Sequence, residues 1–143
     1  MAEHGLEGID RTVQQTYTWI DEVADELAPA SRHIGYQVIR GFLHTIRDRL
    51  PMDEAVHLGA QLPMLLRGLY YEGWDPESAP RDIRDGKAFL ADFVAESRLP
   101  DSVGAAGSVK AAYDVLERHI TPGESSEVLN TLPGEVRQLL IAV

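Results

Sequence analysis

Leu62-Pro63 recurs 70 residues later as Leu132-Pro133, and the same shift places Arg137 on Arg67, Leu139 on Leu69 and Glu124 on Glu54 without a gap. A repeat of fixed period constrains a fold strongly, because each unit must bury its apolar face against its neighbour. The apolar positions obey the same shift: Trp19, Ile20 and Val23 meet Phe89, Leu90 and Phe93, while Ile39, Ile46 and Leu50 meet Val109, Leu116 and Ile120. The chain therefore reads as all-α, with two tandem four-helix units, at residues 1–76 and 77–143, packed as one helical domain. The copies are unequal, since Gly134-Glu135 stands for Met64-Leu65 and Leu140-Ile141 for Tyr70-Tyr71.

Apolar residues three or four apart set the helices. Val13, Tyr17, Ile20, Val23 and Leu27 predict a first helix over 10–28, stopped by Pro29, with Asp21, Glu22, Asp25 and Glu26 on its outer surface. Ser31 is an N-cap for a second helix over 32–50 that buries Ile39, Phe42, Leu43, Ile46 and Leu50 and ends at Pro51. A short third helix over 53–61 leads into a fourth, with Pro63 in its first turn, where a missing N–H costs nothing. Leu62, Leu65, Leu66 and Leu69 share the apolar face of that fourth helix.

Gly, Pro, Asp and Ser over 72–84 mark the loop between the units. Asp85 caps a fifth helix reaching Arg98, with Phe89, Leu90, Phe93 and Val94 inward. The glycines and serines at 104–108 delay the sixth helix to 108–120, and two short helices, 123–130 and 133–142, complete the chain.

A chain of 143 residues with 44% hydrophobic composition can fold without staples, and the absence of Cys excludes disulfides, thiolate metal sites and thiol nucleophiles. A net charge of −10 opposes binding to nucleic acid or anionic lipid. The N-terminus MAEHGLEGID lacks the basic and apolar regions of a signal peptide, and no apolar run approaches the roughly 18 residues of a membrane span. A cytoplasmic protein that binds neither nucleic acid nor membrane is expected.

The segments from Arg47 to Pro51 (RDRLP) and from Leu58 to Pro76 (LGAQLPMLLRGLYYEGWDP), with Arg81, Arg84 and Phe89-Leu90 after them, resemble the bacterial DUF2267 proteins of unknown function. The resemblance covers nearly the whole chain. It implies an all-α domain and marks Leu62, Pro63, Arg67, Tyr70, Tyr71, Gly73 and Trp74 as typical family positions, without bringing a reaction or a partner. The Gly/Ser stretch from Gly104 to Ser108 departs from the family pattern.

Three constellations could carry function. Arg67, Tyr71 and Trp74 recur on one side of the fourth helix and are the residue types that most often anchor interfaces, although filling a helix junction suits them equally. His33, Gln37, Arg40, His44 and Arg47 form a stripe of donors along the second helix, read as a solvated face or as a strip for an acidic helix, this chain's own first helix included. Glu54-Ala-Val-His57 has the Glu-x-x-His spacing of di-iron bundles, yet the shifted position holds Glu127 instead of His, so the second half-site is missing and no metal or other cofactor is expected.

No phosphate loop, nucleophile elbow or H-E-x-x-H is present, and no catalytic residue is assigned. The leading expectation is a non-enzymatic helical interaction or scaffold module, with a protein partner or a second copy meeting Arg67, Tyr71, Trp74, Arg40, His44 and Arg47. The alternatives are a small-molecule or metal-binding protein, possibly an enzyme, with a polar pocket near His44, His57 and Arg67, and a purely structural or stress-related subunit.

Overall fold

The computed structural model describes residues 6–77 and 84–142. Among them the regular structure is helical: α1 (Glu7–Glu26), α2 (Arg32–Arg47), α3 (Met52–Ala60), α4 (Met64–Tyr71), α5 (Gly86–Ser97), α6 (Ala105–His119), α7 (Pro122–Thr131) and α8 (Gly134–Ile141). None of these helices is long and apolar enough to cross a membrane.

The helix starts follow from local chemistry. Ser31 Oγ accepts from the Ile34 N–H at 3.2 Å, Asp85 Oδ1 from Lys87 N–H at 3.0 Å and Thr121 Oγ1 from Glu124 N–H at 3.2 Å, each occupying a donor that the helix itself leaves unpaired. Pro51, Pro63 and Pro133 stand one residue before α3, α4 and α8, and their carbonyls accept from Ala55, Arg67 and Arg137 at 2.9, 2.8 and 2.9 Å. Pro63 and Pro133 thus hold equivalent places, one position earlier than the first turn expected from sequence.

Four expectations need correction, the first being Val94, expected inward but 46% exposed on α5. Helix α6 begins at Ala105, because Gly104 serves as its N-cap and Ser108 Oγ turns back onto the Gly104 carbonyl at 2.7 Å, so the Gly/Ser stretch is helical. Helix α2 ends at Arg47, and Arg49 and Leu50 continue only as a tighter turn onto the carbonyls of Ile46 and Arg47. On α4 the buried residues are Leu66 and Tyr70, whereas Leu65 is 43% exposed; the inward stripe runs Leu62, Leu66, Tyr70 at a steady spacing of four. The loop reading over 72–84 lies partly outside the described residues, as does Arg81.

Helix α2 is the axis of the molecule, packed by α1, α4, α5 and α6, and every residue from Gly41 to Arg47 is buried. Gly41 allows the close approach of α5: a Cβ there would meet Ser97 Cα at 2.8 Å. Tyr70, wholly buried, fills the space beneath α3 and donates its hydroxyl to the Ala55 carbonyl at 2.7 Å, which places α3 against the core.

Candidate metal centre

Arg67 braces a corner. Its Nε donates to the Gly59 carbonyl at 2.9 Å and its second terminal nitrogen to Leu62 O at 3.0 Å, tying the end of α3 to the turn that leads into α4. Arg137 makes the corresponding bonds to Leu129 and Leu132 at 3.0 and 3.1 Å. Tyr71 and Trp74, half-buried against the core with ring centroids 5.4 Å apart, lie beside this corner, and Tyr71 covers Gly59 so closely that a Cβ there would collide with its phenol. The three residues occur together, as the sequence placed them, and the guanidinium is engaged within the chain.

The donor stripe of α2 divides: His33 is exposed, Gln37 and Arg40 face the end of α5, Arg47 faces the end of α4, and His44 bridges the two. Gln37 Nε2 donates to the carbonyls of Ser97 and Arg98, Arg40 donates to Glu96 O at 3.1 Å, and Arg47 donates to the carbonyls of Tyr70 and Glu72 at 2.7 and 2.9 Å. His44, 2% exposed, sets Nδ1 at 2.8 Å from Glu96 Oε1 and Nε2 at 2.6 Å from the Leu69 carbonyl. The acidic face of α1 is met from elsewhere: Arg32 pairs with Asp21, and Arg118 and His119 with Glu22. Burial opposes ionisation of Glu22, but the hydrogen bonds from His119 and Arg118 outweigh it and hold that carboxyl below its ordinary range.

A different cluster forms where α3 packs on α7. Glu54 and His57 lie one turn apart on α3, Glu124 and Glu127 one turn apart on α7, and one ligand atom from each lies within 4.8 Å of all the others. Glu54 and Glu124 occupy the same place, three residues after the N-caps Pro51 and Thr121. A glutamate there ordinarily reaches back to the N-cap N–H. Pro51 has no N–H, and the Thr121 N–H is taken by Gln61 Oε1 at 3.0 Å. Both carboxylates are therefore released into the interface.

That release is costly unless something compensates it. Glu54 is 7% and Glu124 9% exposed, and Oε2 of each is buried with no hydrogen-bond partner among the described residues. Burial, together with a hydrogen bond shared with Glu54 and the nearby charges of Glu54 and Glu127, pushes the Glu124 carboxyl up to about 8. His57 and Glu127 are exposed and form the rim. Three carboxylates and one imidazole are the donors of borderline divalent ions such as Zn²⁺, Fe²⁺ and Mn²⁺, whereas Ca²⁺ asks for about six to eight oxygens.

Sequence spacing alone reads Glu127 as the loss of a half-site; in the folded chain its carboxylate converges with Glu54, His57 and Glu124, because the two helices present both pairs to one point. The signal available was the recurrence of Glu124 at the shift of 70.

Fold and cluster together define an all-α protein with a carboxylate–imidazole site between two short helices. The chain belongs to the family of uncharacterized conserved proteins DUF2267, whose model matches residues 16–139. No curated protein matches it.

Proposed function

We propose that this protein is a divalent-metal-binding helical module, in which two tandem four-helix units each contribute one short helix to hold a single first-row transition ion. The observation that carries the reading is the pair of buried carboxylates, Glu54 and Glu124, each with an unpartnered oxygen, converging with His57 and Glu127 within 4.8 Å. An ion there satisfies both orphan oxygens at once and takes the place of the proton that Glu124 retains. The acidic chain raises the local concentration of cations, and three carboxylates around a divalent ion disfavour anionic substrates, which suits holding over catalysis. With no Cys to protect or pair, we place the protein in the cytoplasm.

Equilibrium dialysis of chelator-treated protein against Zn²⁺ or Mn²⁺, followed by elemental analysis, tests the proposal. About one ion per chain is expected, with Glu54→Gln and Glu124→Gln each weakening binding by about tenfold or more, at least the loss typical of outer-shell changes. Absence of binding, or equal binding by the variants, would refute it.

A second reading, the interaction module, is supported by an apolar groove of about 410 Å³ between α1, α2 and α4, lined by Val13, Ile20, Tyr36, Leu65 and Leu69. Sedimentation over a range of concentrations checks whether a second copy occupies it: a monomer throughout excludes self-association.

A further inference from the structure

We infer that the ion is a clasp: it supplies the attraction that seats α7 on α3, so that occupancy of the site sets how tightly α7 is held. This rests on the metal-binding reading above and adds a consequence for the chain itself.

Helix α7 is ill equipped to stand alone. Its ten residues, PGESSEVLNT, fall short of the roughly 12–15 that a marginal isolated helix needs, and Gly, Ser, Asn and Thr are weak helix formers. Its principal packing partner is α3. The apolar contribution is small, with Val128 wholly buried and Leu129 partly so. The polar ties sit at the two ends: Thr121 N–H to Gln61 Oε1 at 3.0 Å, and Arg137 to the Leu129 carbonyl at 3.0 Å.

The middle of the interface opposes docking. Glu54 meets Glu124 and Glu127 there, two of the three carboxylates are desolvated, and no cationic side chain pairs with the orphan oxygens among the described residues. Buried carboxyl oxygens without partners are costly in such a contact, and the proton that Glu124 retains relieves charge repulsion without satisfying them. A divalent ion ligated from both helices reverses the sign of that central interaction, and it is lost whenever α7 lifts. Binding free energy is thereby converted into local stability of α7.

Amide hydrogen exchange of the whole chain, metal-free and with Zn²⁺, reads this out. If lifting α7 breaks the site, protection of the α7 amides rises as 1 + [L]/Kd, about a hundredfold at 100 times Kd, and the α7 gain exceeds that of α5. The doubly neutral variant Glu54→Gln/Glu124→Gln removes the acidic pair; without metal its α7 amides should be at least as protected as those of metal-free wild type, with no gain on adding Zn²⁺. Stoichiometric Zn²⁺ binding that leaves α7 exchange unchanged overturns the clasp and leaves metal binding standing. Failure to bind Zn²⁺ overturns both. A double variant with less protected α7 than metal-free wild type also overturns the clasp, because the buried acidic pair would then not be what loosens the helix.

Discussion

Arg67 and Arg137, 70 residues apart, close their corners in the same way: each reaches back eight residues to one carbonyl and five to another, Gly59 and Leu62 for the first, Leu129 and Leu132 for the second. A planar guanidinium spans two carbonyls at once, which an ammonium cannot do with the same fixed fork. Arg67→Ala and Arg137→Ala are each expected to cost about 1–3 kcal/mol, the range for charge-assisted hydrogen bonds, with Arg67→Lys recovering only part. Urea denaturation measures this; an unchanged midpoint for Arg67→Ala would show that the brace contributes nothing and would return Arg67 to the role of partner contact.

Gly41 and Ser97 fix how closely α2 and α5 approach. A Cβ at position 41 would lie 2.8 Å from Ser97 Cα and 3.0 Å from its amide nitrogen, and backbone cannot yield as a side-chain tip can. Gly41→Ala is therefore expected to lose about 1–3 kcal/mol by overpacking, against the usual gain of Ala over Gly in a helix. A stabilised variant in thermal melts would contradict the tight contact.

The metal-free protein should weaken as pH rises. The Glu124 carboxyl titrates near 8 in the folded chain, above its ordinary 4.5, so the folded state keeps a proton that the unfolded state releases. The associated stability is complete below about pH 4.5 and is lost as pH climbs through about 8. Denaturation midpoints from pH 5 to 8 should fall more for wild type than for Glu124→Gln, which carries no ionisable group there. Parallel curves would contradict the shift.

The helical order was legible because amphipathic spacing and capping residues agree: Ser31, Asp85 and the three prolines at 51, 63 and 133 stand where helices start. The burial of His44 and Arg47 is not legible, because polar residues opposite an apolar face normally mean solvent, and nothing local reveals that the ends of α4 and α5 cover that second face. Tyr70 was overshadowed by Tyr71, since adjacent aromatics give no rule for which one turns inward; the carbonyl of Ala55 decides it.

The candidate metal centre was half legible in the sequence. Glu54 and His57 carry a recognisable spacing, but their partners lie 70 residues away in sequence, with Glu127 in place of the expected imidazole. Only tertiary packing shows that a carboxylate at that position still converges with the others, and only the hydrogen-bond pattern around Pro51, Thr121 and Gln61 shows why neither N-terminal glutamate bonds its own N-cap.

The most direct test of the account is anomalous diffraction from crystals of the protein grown with Zn²⁺ and measured at the zinc edge. One strong peak per chain is expected between α3 and α7, with oxygens of Glu54 and Glu124 at about 2.0–2.2 Å and a His57 nitrogen at about 2.0–2.1 Å. A zinc peak lying only elsewhere on the surface, or none at that junction, would contradict it.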